Sequence, residues 1–123
     1  MQTLTIASLM NFLPDATDEA RVKVANDAKW IERIDDAFSW LLEQDTVQLD
    51  GYVVLIESET SGLTYRVNGS CSCLAAQSNV MCKHRVRARL IKLALEKQKA
   101  DAAQRIAKAR SERWQQEIDE LFI

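Results

Sequence analysis

Every cysteine and the only histidine of this 123-residue chain fall within fourteen positions, as Cys71, Cys73, Cys82 and His84 in the spacing C-x-C-x8-C-x-H. Three thiolates and one imidazole form the donor set of a tetrahedral structural zinc, with no vertex left for water or substrate. In an extended strand, side chains two apart share a face, so Cys71 and Cys73 are expected to present both sulfurs to one ion. On a helix the same step separates them by about 200°. Cys82 is therefore expected just outside a helix and His84 in its first turn, closing the fourth vertex. Three cysteines cannot all pair within one chain, and reducing conditions favour a metal over a disulfide framework. Two alternatives stand beside this reading. One is three unrelated buried cysteines with a solvent-facing histidine; the other is iron, which a histidine among thiolates disfavours.

The same count argues against catalysis. With all four donors on one ion no open coordination position remains, and the chain has no second His or Cys with which to build one. The His-x-Glu with Pro-Cys-x-x-Cys pattern of zinc deaminases is absent. Cys82 beside His84 as a nucleophilic pair lacks a third orienting residue and an oxyanion-hole signature. The expectation is a non-enzyme with no small-molecule substrate.

The elements that must position the four donors follow from pattern. An apolar segment from Leu4 to Leu13 reads as a short helix interrupted by Pro14. Thr17, followed by Asp18 and Glu19, reads as the N-cap of a longer helix running to about Gln44. Its apolar positions Ala20, Val24, Ile31, Ile34, Phe38 and Leu41 recur at helical steps, with Trp30 and Trp40 widening the stripe into the core. "GYVVLIES" and "LTYRVN" then predict a β-hairpin over about 51–58 and 63–68, with Tyr52 and Tyr65 half-buried. Asn68-Gly69 is a turn signal just before the first cysteine. A helix follows from near His84 to about residue 98 and, with or without a break at Asp101, on to Leu121. The alanine-rich end is expected to pack back on the N-terminal helix, or to project as a partner-binding or self-associating helix. The fold class expected is α+β, a small ββα zinc finger flanked by helices: 1–48 helical, 49–98 the finger, 99–123 a helical extension. About forty-five residues of finger is near the size at which a metal substitutes for a core, and zinc contributes on the order of 10 kcal/mol or more.

A strand pair ending "TYRVNG", then Cys71-x-Cys73, a spacer, "CKH" at 82–84 and a helix together resemble the SWIM zinc finger, over roughly residues 50–95. That family is found in helicase-like ATPases, Mutator-type transposases and several eukaryotic regulators. The resemblance implies a ββα fold around zinc, held by Cys71, Cys73, Cys82 and His84, and a role in binding DNA or protein rather than in catalysis. Leu74 is a departure, since family members often carry proline after the second cysteine.

A formal charge of −2 conceals three blocks: residues 1–60 carry −8, residues 61–116 carry +9 and the last seven carry −3. A basic block of this kind suits a polyanionic partner, DNA or RNA. At 100° per residue, Arg85, Arg89, Lys92, Glu96 and Lys99 share an arc of about 80°. Lys83 and Arg87 lie off that stripe but near the zinc. These six cations, Lys83, Arg85, Arg87, Arg89, Lys92 and Lys99, are the candidate nucleic-acid contacts. Three other readings compete: the cations offset the −1 of a tris-thiolate zinc, they form a merely solvated face, or the acidic helix around Asp27, Asp35 and Asp36 covers them. A protein adaptor using the flanking helices is the alternative function. The start "MQTLTIASLMNFL" lacks a secretory pattern and the apolar run Tyr52–Ile56 is too short for a membrane. The chain is thus expected to be cytoplasmic, or nuclear in a eukaryote, and not secreted.

Overall fold

The computed structural model describes residues 1–57, 62–68, 70, 71, 73 and 82–122. Four strands form one antiparallel sheet in the order β1 (Gln2–Thr5), β2 (Thr46–Asp50), β3 (Val53–Glu57), β4 (Thr64–Val67). Alternation sets its inner face: Val47 and Leu49 of β2, Val54 and Ile56 of β3 and Val67 of β4 are all buried. Among the described residues, three helices complete the core, α2 (Leu13–Lys23), α3 (Ala28–Leu42) and α4 (Lys83–Phe122), after a single turn α1 (Ile6–Leu9). Ile6, Leu9, Leu13, Ile34, Leu41, Leu90 and Ile91 join the sheet residues in one apolar cluster. The architecture is α+β, with N-terminal helices and a C-terminal helix flanking a sheet and loop region.

Several elements differ from expectation, each for a local reason. The Leu4–Leu13 helix is replaced by β1 and α1: Gln2 to Thr5 pair with Leu49 to Thr46, and Thr5 Oγ1 then accepts the Ser8 N–H at 3.3 Å to start α1. Strand pairing here overrides local helix preference. Pro14 does not interrupt a helix but sits in the first turn of α2, where its missing N–H has no intrahelical partner to lose. Thr17 is no cap; it is buried inside α2 and its hydroxyl donates to Leu13 O at 2.8 Å. The true cap lies ten residues on, where the Asp27 carboxylate accepts from the N–H groups of Lys29 (3.1 Å) and Trp30 (3.3 Å) and opens α3.

The stretch "TVQLDGYVVLIE" holds two strands rather than one. Asp50 pairs with Val53 across a two-residue turn, and Gly51 at φ +62° supplies the left-handed conformation that such a turn needs. Tyr52, at the tip, is 84% exposed rather than half-buried, whereas Tyr65 is partly covered. The expected hairpin of β3 and β4 is present, with Val54 opposite Val67 and Ile56 opposite Tyr65. Ser58, Gly69, Leu74 and the polar loop at 75–79 lie outside the described residues.

α4 is unbroken for 40 residues, with no interruption at Asp101. At 1.5 Å per residue it is about 60 Å long. Its first three turns are packed, with Leu90, Ile91 and Ala94 all buried, while residues 102–117 are exposed throughout. The extension projects instead of folding back. Lys97 Nζ meets Glu19 Oε2 of α2 at 2.6 Å near the point where α4 leaves the body.

The two halves of α4 should respond differently to truncation. Ile91→Ala is expected to destabilise the chain by about 2–5 kcal/mol in urea unfolding, and Ile106→Ala by less than about 0.5 kcal/mol, as for an exposed site. Lys97 holds the Glu19 carboxyl below the usual Glu range. The stability from that pair is therefore fully present above the ordinary Glu pKa and is lost as pH falls through the lowered value. A Glu19→Gln chain should show a shallower loss of stability in acid, read from melts between pH 5 and pH 2.

Candidate metal centre

The four donors are gathered from two places. Cys71 and Cys73 follow β4 and are not part of it; the chain turns after Val67, where the Asn68 N–H donates to Ser70 O at 3.3 Å. A loop thus brings these two sulfurs together, where the sequence suggested an extended strand. Lys92 Nζ donates to Asn68 Oδ1 at 2.8 Å, tying this turn to the third turn of α4. Cys82 directly precedes α4, and its carbonyl accepts the N–H groups of Arg85 (3.2 Å) and Val86 (3.4 Å). His84 then falls in the first turn, as its spacing requires.

One ligand atom from each of Cys71, Cys73, Cys82 and His84 lies within 4.8 Å of all the others. Cys82 Sγ is 3.4 Å and Cys71 Sγ 3.8 Å from His84 Nδ1. Bond lengths of about 2.3 Å to sulfur and 2.0–2.1 Å to nitrogen put the S···N edge of a zinc tetrahedron near 3.6 Å. The two observed values bracket it. Cys73 Sγ and Cys82 Sγ are 3.1 Å apart, far beyond a disulfide bond of about 2.05 Å and inside the S···S edge of about 3.8 Å. None of the three cysteines is in a disulfide. Cys73, Cys82 and His84 are buried and Cys71 partly so, which leaves little access for a fifth ligand. The donor set fits zinc. Among the described residues this is a single structural Zn²⁺-binding cluster, and its spacing matches the SWIM-type zinc-binding motif.

Electrostatics explain why the ion is needed. Burial pushes the Cys82 thiol up to about 12, and the neighbouring Cys73 sulfur pushes the same way. The backbone N–H groups of Arg85 and His84 point at this sulfur and favour the thiolate, but they do not offset desolvation. A dication supplies what the protein alone does not. The Tyr65 ring packs on His84, centroids 5.0 Å apart and tilted 37°, and so fixes the imidazole from the β4 side.

The six candidate cations separate. Lys83, Arg85, Arg89 and Lys99 are exposed, and Lys92 is half-buried against Asn68. Arg89 stands 3.7 Å from Glu96 on its own helix. Arg87 does not join them: it is 6% exposed, with its guanidinium 4.2 Å over the Trp40 ring. Its place is the α3–α4 interior, a cation–π contact that neither residue's local sequence announces. Of the acidic residues in the competing cover reading, Asp35 pairs with Arg21 of α2 and Asp27 caps α3.

Beside the centre lies a groove of about 450 Å³, floored by Ala20 and Val24 of α2, Trp30 and Ile34 of α3, and Val86 and Leu93 of α4. Lys23, Arg85, Arg89 and Lys92 rim it, and among the described residues no acidic side chain lines it. The helical spacing of Trp30 suggested a core position; in the structure it is 37% exposed and forms one wall. No helix among the described residues is long and apolar enough to cross a membrane. Compared with family models, curated proteins and solved structures, the chain matches none.

The purified chain should carry one zinc, and loading the metal-free protein should release the Cys82 proton, read as a buffer-dependent binding enthalpy in calorimetry. Cys82→Ser is expected to abolish stoichiometric binding. Tyr65→Ala should keep all four ligands yet weaken affinity by about ten- to a hundredfold, the usual effect of losing a group that orients a ligand; competition with a chromogenic chelator measures it.

Proposed function

We propose that this protein is a non-catalytic accessory module that binds DNA or RNA through the start of α4, which zinc fixes against the β3–β4 hairpin. In this reading β3, β4 and α4 form a ββα finger over 49–98, with 1–48 and 99–123 as flanking parts. The observation that carries it is the exposure of Lys83, Arg85 and Arg89 on the first two turns of the helix that also carries His84. Lys99 extends the strip, and Lys92 reaches it once its bond to Asn68 is exchanged for a phosphate. Such contacts neutralise backbone phosphates and release counterions. They position the protein on a nucleic acid without selecting sequence. Part of the same charge also offsets the −1 of the tris-thiolate centre.

A second reading, a protein adaptor, draws support from the far end of α4. Trp114, Leu121 and Phe122 are 64%, 77% and 82% exposed there, more apolar surface than one helix end ordinarily leaves in water. Its test is whether any protein retained by the chain is lost when Trp114 and Leu121 are both changed to Ala.

Fluorescence anisotropy with random-sequence duplex tests the first reading. Four phosphate contacts, from Lys83, Arg85, Arg89 and Lys99, give a log–log salt slope of about −3 to −4. Reversing Arg85 and Arg89 to Glu should bring the slope towards zero while zinc content is unchanged. An affinity that ignores salt, or one that survives the double reversal, would exclude nucleic-acid binding through this face.

A further inference from the structure

The exposed half of α4 has a regularity that the single chain does not use. Val86, Leu93, Ala100, Ala107, Trp114 and Leu121 stand every seventh residue along it, all apolar. A seven-residue step keeps these side chains on one side of the helix, as one of the two apolar positions that each heptad contributes where helices wind around one another. On a straight helix it drifts about 20° per heptad, and left-handed supercoiling absorbs the drift. Within one chain only the first two positions are covered: Val86 and Leu93 floor the groove beside the metal centre, while Ala100, Ala107, Trp114 and Leu121 face solvent.

The two ends of the repeat complement each other. The groove is apolar at its base, with Lys23, Arg85, Arg89 and Lys92 around it. The end of α4 carries Trp114, Ile118 and Leu121 at i, i+4 and i+7, the spacing of an amphipathic helix that lies in a groove. Glu117, Asp119 and Glu120 surround that stripe. An antiparallel register matches large with large and small with small: Leu93 meets Trp114, Val86 meets Leu121, and Ala100 meets Ala107 where the helix backbones approach most closely. One chain cannot make these contacts, because an unbroken helix does not return on itself. A second copy makes all of them twice, by a two-fold operation.

We infer that two copies of this chain pair antiparallel along α4, each inserting its Trp114–Leu121 end into the cation-rimmed groove of the other. This deepens the adaptor reading, from which it takes the exposed helix end, and does not rest on the nucleic-acid reading. The pair sets Arg85, Arg89 and Lys92 against carboxylates, so pairing and polyanion binding compete for these side chains.

Sedimentation equilibrium of the zinc-loaded full chain should give twice the monomer mass in the micromolar range. A charge exchange tests the arrangement itself. One variant carries Arg85→Glu and Arg89→Glu, the other Glu117→Lys, Asp119→Lys and Glu120→Lys. Each alone sets like charges against one another and should sediment as a monomer, with zinc content and helical circular dichroism intact. Mixed one to one, they should recover the wild-type mass, because each groove then faces a tail of opposite sign. In the wild type, a carbodiimide should join Lys23 or Lys92 to Glu117, Asp119 or Glu120, and mixing labelled with unlabelled chains should prove those links intermolecular. A wild type that stays monomeric, a mixture that fails to pair, or links confined to other positions overturns the inference. A monomeric wild type that still retains another protein through Trp114 and Leu121 overturns the pairing alone. A chain that pairs as described but retains nothing else leaves the pairing standing and removes the wider adaptor reading.

Discussion

Desolvation of sulfur is the constraint around which this molecule is organised. Cys82 sits at the buried entrance to α4 with its thiol held up near 12, although two backbone N–H groups point at it. A thiolate in such a place needs a cation; among the described residues Arg87 stacks over Trp40 and Lys92 bonds Asn68. Zinc meets the requirement and in doing so joins the turn after β4 to the first turn of α4. Two further contacts support the same junction from the protein side, Tyr65 against the His84 ring and Lys92 on Asn68. The helix is thereby fixed at its beginning, and everything along it takes its direction from there.

Beyond the junction the helix serves two environments in turn. Its first three turns share the apolar cluster with the sheet and with α2 and α3, whereas residues 102–117 touch water on every side. Alanine makes the second half possible. It has the highest helix propensity and little side chain to bury, so a run such as Ala102, Ala103, Ala107 and Ala109 stays helical without a neighbour. Ion pairs at i,i+4, Asp101 with Arg105 (3.0 Å) and Glu112 with Lys108 (3.9 Å), add small increments on the wet faces.

The metal quartet was legible in the sequence because all four donors lie within fourteen positions, a clustering that three unrelated buried cysteines do not account for. The hairpin of β3 and β4 and the start of α4 were legible for related reasons, β-branched alternation and donor spacing. What escaped depends on distance in the chain or on a choice between local signals. Asp50-Gly51 is a turn signal in its own right, but the apolar run that follows it masked the break between β2 and β3. Thr17 and Asp27 both resemble caps, and only the packing of α2 on α3 decides between them. β1 forms because β2, more than forty residues later, offers it an edge. Arg87 reads as one more cation in a basic run, and nothing near it announces Trp40, forty-seven residues earlier. The last twenty residues were expected to pack back and instead project, since a helix of small side chains offers little apolar surface to hold it down.

The continuity of α4 has a consequence for how its length can vary. With no interruption of the helix between His84 and Phe122, the azimuth of every later side chain is set by counting residues from the metal. Inserting one alanine into the solvated middle would rotate Trp114 and Leu121 by about 100° about the axis. Inserting seven would move them about 10 Å outward with a net turn of only about 20°. Changes in whole heptads therefore preserve the orientation of the tip, and single-residue changes do not.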